Sequence, residues 1–290
     1  MSTFFPFLVI DIGLNPTITD IGPFMLTWHG LFTAVGIIAG VTLSVWLANR
    51  DGIPSEVAQE IALVGVPAAI IGARLFYVAE HWDRFSGDLP GIVLDITEGG
   101  ITLYGGLIGG AVAGVVYVLW QKLPLGIALD AAAPGMLLGQ AIGRLGDLAN
   151  GEHAASVSNL PWAVRYTNPE TLADLGVAVH PTAGGYEMLG DLVIMAILLF
   201  VGYRYIKRPG WIFCAYLLMY APMRYVLSEF RLDEATMGSL AVPQVVSILL
   251  FGLAIALAGI LRNNPGPITE EWENRVFGPE PKEPPEPETE

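Results

Sequence analysis

The sequence predicts an all-α integral membrane protein with seven transmembrane helices, its N-terminus outside the membrane and its C-terminus in the cytoplasm. Hydrophobic residues make up 53% of the 290-residue chain and charged residues only 14%, whereas ordinary soluble domains carry about 25% charged residues. Seven segments have the roughly 20 mostly apolar residues that a membrane span requires. Basic residues cluster in the connections after spans one, three, five and seven, and the positive-inside rule makes that side cytoplasmic.

The predicted spans form one bundle, from residue 25 to residue 262, between two segments of different composition. The segment 1–24 has no basic region of the signal-peptide kind, and we expect it to lie at the outer interface. The tail 263–290 is rich in Pro and Glu and is predicted to be disordered in the cytoplasm. The spans lie at about 25–48, 58–80, 103–121, 128–148, 187–204, 211–230 and 243–262.

Composition excludes several classes of function. The net charge is −14, but eight of the 28 acidic residues lie in the last 21 positions, so the charge does not indicate an acidic binding surface. No basic patch suggests nucleic acid as a partner. The single cysteine, Cys214, lies in an apolar helix, which excludes an internal disulfide and a thiolate metal site.

Two stretches of the chain carry glycines at every fourth position, on one face of a helix. Small residues at this spacing let membrane helices approach closely, and we expect both faces to pack against neighbouring helices. The first face lies in the fourth span and the second in the third: Gly135, Gly139 and Gly143, and Gly106, Gly110 and Gly114.

Four arginines fall in the outer parts of the spans, where charge is expensive. Guanidinium groups bind phosphate with two parallel hydrogen bonds, so several of them at one depth favour a phosphate-bearing ligand. The alternative is that nearby carboxylates neutralise them as structural ion pairs, but such pairs stabilise less than apolar packing does. The arginines are Arg74, Arg144, Arg224 and Arg231, and the carboxylates are Asp147, Glu187, Asp191 and Glu229.

The motifs and their order resemble the prolipoprotein diacylglyceryl transferase family. The segment GRLGDLANGE at 143–152 is similar to that family's signature GRxGNFxNxE, and the resemblance covers roughly residues 20–262. The supporting motifs are TWHGL at 27–31, GARLFY at 72–77, EGGITLYGGLIGG at 98–110, DAAAP at 130–134, PWAV at 161–164, HPT at 180–182, YE at 186–187 and the group Arg224, Glu229 and Arg231.

The resemblance implies the first step of bacterial lipoprotein maturation, at the cytoplasmic (inner) membrane. Members of that family move the diacylglyceryl group of phosphatidylglycerol onto the lipobox cysteine of a prolipoprotein signal peptide, forming a thioether and releasing glycerol 1-phosphate. No metal or organic cofactor is implied. The expected partners are therefore phosphatidylglycerol, the prolipoprotein and membrane lipids, and no nucleic acid.

The same resemblance, read with the charge chemistry, selects the candidate site residues. A leaving phosphate monoester needs positive charge, which we assign to Arg144 and Arg224. His29 and Tyr104 complete the candidate catalytic group, although Tyr104 also suits an interfacial aromatic position. The candidate substrate-binding residues are Asp147, Asn150, Glu152, Glu187, Arg231 and Arg74.

The chain departs from the family's pattern at several positions. Tyr and His have exchanged places at His29 and Tyr104, so we hypothesise that both rings face one pocket. Asp147 replaces the signature's first Asn, and we predict that it pairs with an arginine. Further departures are Ala155 for Gly, Ser228 for Glu, and HPTAGGYE for HPxQLYE.

Two other classes of function remain open at this point. A divergent, non-catalytic relative would bind phospholipid or a lipoprotein precursor without turnover. A small-molecule transporter would also suit the glycine faces, but no internal repeat of a transporter kind is evident. An active transferase is the interpretation that we favour.

Overall fold

The computed structural model describes residues 9–22, 24–87, 100, 102–232 and 235–263. Three predictions fall partly or wholly outside these residues. They concern the start of the interfacial segment at 1–8, most of the outward connection at 82–102, and the acidic tail, of which only Asn263 is described.

The described residues are mainly helical, as predicted. Each predicted span contains a helix, and six of the helices are long and apolar enough to cross a membrane. The helix in the sixth predicted span, α7, has 17 residues and continues as a 3-10 turn over Ser228–Phe230. The helices are α1 (Trp28–Arg50), α2 (Ser55–Glu80), α3 (Trp82–Phe85), α4 (Leu103–Trp120), α5 (Leu125–Asn150), α6 (Thr182–Tyr205), α7 (Trp211–Leu227) and α8 (Val242–Asn263).

Helix α6 begins five residues earlier than its predicted span. Its first stretch, Thr182–Glu187, is π-helical, and a second π-helical stretch covers Leu198–Gly202. The first stretch reads TAGGYE. It is not part of a continuous apolar run, and its two glycines have low helix propensity. The sequence therefore places the start of the helix too late. π-Helical turns occur often at functional sites.

Short strands add to the purely helical fold that the sequence predicts. In a three-stranded sheet, β4 pairs in parallel with β1 and antiparallel with β5. The pairs β2–β3 and β6–β7 are antiparallel hairpins. The strands are β1 (Ile10–Ile12), β2 (Thr17–Ile21), β3 (Phe24–Thr27), β4 (Val164–Tyr166), β5 (Ala178–Val179), β6 (Thr236–Met237) and β7 (Leu240–Ala241).

The described residues divide into two compact units, and the first contains residues 9–47 and 129–263. Its α1 and α5 approach so closely that a Cβ atom on Gly36 would lie 2.6 Å from the carbonyl oxygen of Gly139. Gly143, the third glycine of that predicted face, has open space around it instead. The apolar core joins α5, α6, α7 and α8 through Ala133, Leu137, Ile194, Leu198, Ile212, Tyr216, Leu217 and Ala254.

The second unit, Ala48–Ala128, contains α2, α3 and α4. Helices α2 and α4 also meet at glycines, since a Cβ on Gly105 would lie 2.4 Å from the carbonyl oxygen of Gly72. The closest contacts of α4 are thus made by Gly105 and Gly109, one position before the predicted Gly106 and Gly110. The neighbouring glycines in GGLIGG give α4 two possible glycine faces, and the packing against α2 decides which of them is used.

Candidate active site

The predicted signature forms the end of α5 and the turn that follows. Gly151 has a φ angle of +72°, and the backbone N–H of Glu152 donates to the carbonyl oxygen of Asp147 at 3.0 Å. This is the Schellman arrangement that ends many helices with a left-handed glycine. His153 also has a positive φ of 72°, which is uncommon outside glycine. The turn brings Glu152 and His153 back beside the last turn of α5.

Glu187 is the centre of the charge cluster. Its side chain is buried, and its Oε2 lies 2.6 Å from Nη2 of Arg144. Its Oε1 lies 3.3 Å from Nη1 of Arg224 and 3.3 Å from Nη1 of Arg231. Three guanidinium groups from α5, α7 and the segment after α7 therefore converge on one buried carboxylate.

Asp147 joins this cluster to His29. Its Oδ2 accepts a hydrogen bond from Nη1 of Arg144 at 2.8 Å, which confirms the prediction that it pairs with an arginine. Its Oδ1 lies 2.9 Å from Nδ1 of His29, and that nitrogen also lies 3.4 Å from Oε1 of Glu152. Two residues that depart from the family's pattern, His29 and Asp147, are thus direct partners.

His153 belongs to the same network but was not selected from the sequence. Its Nε2 lies 3.6 Å from Oδ2 of Asp147, and its Nδ1 contacts Nη2 of Arg231. Arg231 is held beside it because Ala155 and Arg231 form an antiparallel bridge. The only available signal was its position directly after the signature, where the family's pattern specifies no residue.

Aromatic side chains support the start of α6, where Glu187 lies. The hydroxyl of Tyr186 accepts a hydrogen bond from Nε1 of Trp162 at 2.9 Å and lies 3.0 Å from Nδ1 of His180. Phe230 packs against His180 with 4.9 Å between ring centroids. The separate motifs PWAV, HPT and YE therefore meet in space and hold Glu187 at the charge cluster.

Two buried oxygens near the cluster accept no hydrogen bond within the described residues. They are Oδ1 of Asn150 and Oδ1 of Asp191. The amide group of Asn150 donates to Oε1 of Glu152 at 3.0 Å, so only its oxygen is left over. Buried acceptors in native structures normally have partners, and a hydroxyl-bearing ligand would satisfy them.

A small cavity of about 30 Å³ adjoins the cluster within the first unit. Glu152, His153, Tyr166 and His180 line it together with several small residues. The hydroxyl of Tyr166 donates to the carbonyl oxygen of Leu148 at 3.1 Å. Burial, with a smaller contribution from the charge of Asp147, raises the pKa of Tyr166 to about 12.

Arg74 and Tyr104 are the two predicted site residues of the second unit. Arg74 is buried, donates to the carbonyl oxygen of Gly100 at 2.9 Å, and lies over the rings of Tyr77 and Phe85. Tyr104 is the second residue of α4 and is partly buried. Because His29 belongs to the first unit, the pocket shared by His29 and Tyr104 stays a prediction.

One group within the described residues has the spacing of a three-donor metal site. His29, Asp147 and Glu152 place one donor atom each within 4.8 Å of one another. Their contacts are those of a hydrogen-bonded set, because 2.9 Å between a ring nitrogen and a carboxylate oxygen is a hydrogen-bond length. Arg144 also already neutralises Asp147, and its positive charge opposes a second cation there.

The fold and the site together define a helical membrane protein with a buried cluster of arginines and carboxylates. The chain belongs to the prolipoprotein diacylglyceryl transferase family, whose sequence model matches residues 16–260. It is 39% identical over 251 residues to the phosphatidylglycerol–prolipoprotein diacylglyceryl transferase of Gloeobacter violaceus, covering 85% of this chain and 91% of the relative. The enzymes of the same name from Finegoldia magna and Synechocystis sp. are each 36% identical, covering 81% and 85% of this chain and 89% and 88% of the relatives.

Proposed function

We propose that this protein transfers the diacylglyceryl group of phosphatidylglycerol to the lipobox cysteine thiol of a prolipoprotein. The observation that carries the proposal is the convergence of three guanidinium groups on Glu187, in a chain whose relatives are named for this reaction. The bond that breaks joins carbon to a phosphate oxygen, so negative charge grows on the leaving glycerol 1-phosphate. Fixed positive charge in a site that excludes water stabilises this change.

The positions of the site residues support distinct roles. Arg144 and Arg224 would stabilise the leaving phosphate, and Arg231 would bind the phosphate before reaction. The side-chain oxygen of Asn150, which accepts no hydrogen bond from the described residues, suits a hydroxyl of the phosphatidylglycerol headgroup. Glu152 and Glu187 would hold the cationic groups in place when the substrate is absent. We propose lipid binding for Arg74 and a catalytic role for Tyr104 on the resemblance alone.

The proposed function includes a topology. A seven-span bundle over residues 25–262 would lie in the bacterial inner membrane, with the N-terminal segment outside and the acidic tail in the cytoplasm. The end of α5 and the connection that follows it, at 149–186, would then face outward. A prolipoprotein cysteine at the outer interface would reach the cluster from that side, and the lipid would enter sideways between spans.

The test is turnover by the purified chain in phosphatidylglycerol nanodiscs with a lipobox peptide that contains one cysteine. Mass spectrometry of the peptide should show the added diacylglyceryl group. Arg144→Ala should lower kcat by about 10²-fold or more, the usual effect of removing a group that stabilises developing negative charge. Arg204→Ala, at an exposed arginine near the end of α6, is the matched control and should leave turnover unchanged.

The outcomes separate this proposal from the non-catalytic alternative. Lipid and peptide binding without any product would assign the chain to the non-catalytic class. Full turnover by Arg144→Ala would contradict the role of Arg144 while leaving the reaction itself in place.

A further inference from the structure

We propose that Nε2 of His29 is the general base that takes the proton of the substrate cysteine thiol, and that Asp147 positions the imidazole for this step. The inference rests on the proposed function, and it gives His29, a candidate catalytic residue without a stated task, the task of the base. A thiol has a pKa of about 8.5 and is a weak nucleophile until it is deprotonated.

The contacts of His29 leave one ring nitrogen for the substrate. Nδ1 lies 2.9 Å from Oδ1 of Asp147 and 3.4 Å from Oε1 of Glu152. Both partners are carboxylates, so Nδ1 carries the proton and donates it. In the neutral imidazole the other nitrogen, Nε2, is then the acceptor. None of the contacts of His29 within the described residues involves Nε2.

Burial places the two members of the pair in different surroundings. The side chain of Asp147 is 5% exposed and that of His29 is 42% exposed. Asp147 is also fixed from the other side, through Oδ2, by Arg144 at 2.8 Å and by His153 at 3.6 Å. A rigid buried carboxylate therefore orients a ring that a peptide can reach.

The backbone supports the same placement. His29 is the second residue of α1, and the N–H of the preceding Trp28 donates to the carbonyl oxygen of Pro16 at 3.1 Å. On α5, a Cβ atom at Gly146 would lie 2.7 Å from the Cα of His29. Only glycine allows this approach, and it brings His29 beside Asp147.

The other imidazole of the cluster is less suited to the task. Both ring nitrogens of His153 are engaged, Nδ1 by Arg231 and Nε2 by Asp147. Glu152 already accepts a hydrogen bond from the Asn150 amide and lies near His29. His29 is therefore the group of this network with an acceptor atom directed away from its protein partners.

With His29 as the base, the reaction begins with transfer of the thiol proton. The S–H proton moves to Nε2 of His29, and the Asp147 carboxylate stabilises the imidazolium that forms. The thiolate attacks the glyceryl carbon that bears the phosphate, so that an S–C bond forms and the C–O bond breaks. The electron pair of that bond leaves with glycerol 1-phosphate, and the imidazolium returns its proton to water.

The experiment compares His29→Asn with the wild-type chain in phosphatidylglycerol nanodiscs, using a single-cysteine lipobox peptide at pH 7 and pH 9.5. Asparagine keeps a donor for Asp147 but has no second nitrogen at the Nε2 position. We expect kcat to fall about 10²-fold or more at pH 7, the usual contribution of a general base. The loss should shrink to about tenfold or less at pH 9.5, because a thiol with a pKa of about 8.5 then ionises by itself.

Besides Asp147, the titratable groups that act on His29 are Glu152 and His153. The comparison is therefore made at each pH against a matched control. His81→Asn, at the histidine that follows α2, should stay within about twofold of wild type at both pH values. Asp147→Asn should lower kcat while the KM for the peptide changes little, as expected of a positioning residue. If His29→Asn does not accumulate, His29→Gln gives the same comparison.

Each result decides the question. A wild-type chain without turnover would reject the proposed function. Wild-type turnover with an active His29→Asn, or with an equal loss at both pH values, would reject the base alone. Wild-type activity that is abolished by a chelator and restored by zinc would assign the three donors to a metal and overturn the inference.

Discussion

Glu187 holds together the charges that the reaction needs. It is 2% exposed and contacts Arg144, Arg224 and Arg231. Its carboxylate gathers three guanidinium groups in one place, and guanidinium groups bind phosphate with paired hydrogen bonds. Glu187 lies at the end of a π-helical turn supported by Tyr186. Its side chain is thus placed by local packing as well as by its ion pairs.

Replacing Glu187 by Gln should destabilise the fold and also impair turnover. Removing one partner of a buried ion pair costs roughly 3–5 kcal/mol, because the opposite charge stays buried without compensation. The measurement is the thermal unfolding midpoint in detergent, together with kcat. Glu170→Gln, in an exposed turn, is the control. A variant with an unchanged midpoint would show that Glu187 does not hold the arginines.

Tyr166, in strand β4, makes the stability of the fold depend on alkaline pH. Burial raises its pKa to about 12, from about 10 in the unfolded chain. The folded state therefore keeps the phenol protonated longer than the unfolded state does. This contribution to stability is complete below pH 10 and is lost as the pH rises towards 12, by roughly 1 kcal/mol per pH unit.

Tyr166→Phe should lower the unfolding midpoint at pH 8, because the buried carbonyl of Leu148 loses its hydrogen bond, at a cost of about 1 kcal/mol. The difference between the two proteins should narrow at pH 11, since phenylalanine does not ionise. Thermal unfolding of both proteins at pH 8 and pH 11 checks this. A difference that is constant with pH would contradict the burial of the phenol.

At the scale of elements, α5 connects the core to the site. Its middle approaches α1 through glycines, and its C-terminal turn carries Arg144 and Asp147. Near its start, Asp130 is buried and caps another helix. Its two carboxylate oxygens accept hydrogen bonds from the backbone N–H groups of Gly210 at 2.7 Å and Phe213 at 2.8 Å, at the start of α7. One element thus fixes where α7, which carries Arg224, begins.

Asp130→Ala should lower stability by about 1–2 kcal/mol, because loss of a helix cap leaves backbone donors without partners. Asp130→Asn keeps an acceptor oxygen and should lose less. The unfolding midpoints of both variants in detergent test the order. Equal losses of stability in the two variants would mean that the negative charge of Asp130, and not its acceptor oxygens, stabilises the start of α7.

At the scale of the whole molecule, the distribution of basic residues predicts the orientation in the membrane. The basic connections predict that the α4–α5 turn faces the cytoplasm and that the connection after α5 faces outward. Two exposed positions, Lys122 and Asp174, lie in these connections. Cys214, the only native cysteine, is buried, so introduced cysteines can be labelled with little background.

In intact cells, a membrane-impermeant maleimide should label Asp174→Cys and leave Lys122→Cys unlabelled until the cells are lysed. The wild-type chain is the control and should stay unlabelled in both conditions. Labelling of Lys122→Cys in intact cells would reverse the proposed topology and place the charge cluster towards the cytoplasm.

The helices were predictable from the sequence because an apolar run that is long enough to span a membrane must be helical. Each of the seven segments contains a helix, since a span must satisfy its backbone hydrogen bonds internally. The start of α6 was placed too late, because TAGGYE has neither apolar periodicity nor high helix propensity. The strands were missed for a similar reason. They have two to five residues, too few for an alternating pattern to stand out.

The sequence predicted which residues belong to the charge cluster better than it predicted which of them contact one another. The signature and the intramembrane charges selected Arg144, Asp147, Glu187 and Arg224, and the structure joins these in one network. His153 was missed, because a histidine in a polar turn carries no signal of its own. It takes part only because a left-handed turn after α5 directs it towards Asp147.

The sequence by itself determined a mainly helical membrane protein with arginines in its apolar spans. These features depend on composition and local pattern, which the chain carries at each position. Only the tertiary structure decided that Asp147 is shared by Arg144 and by His29, which is 118 positions away in sequence. A carboxylate can pair with any cation within reach, and packing alone determines which groups those are.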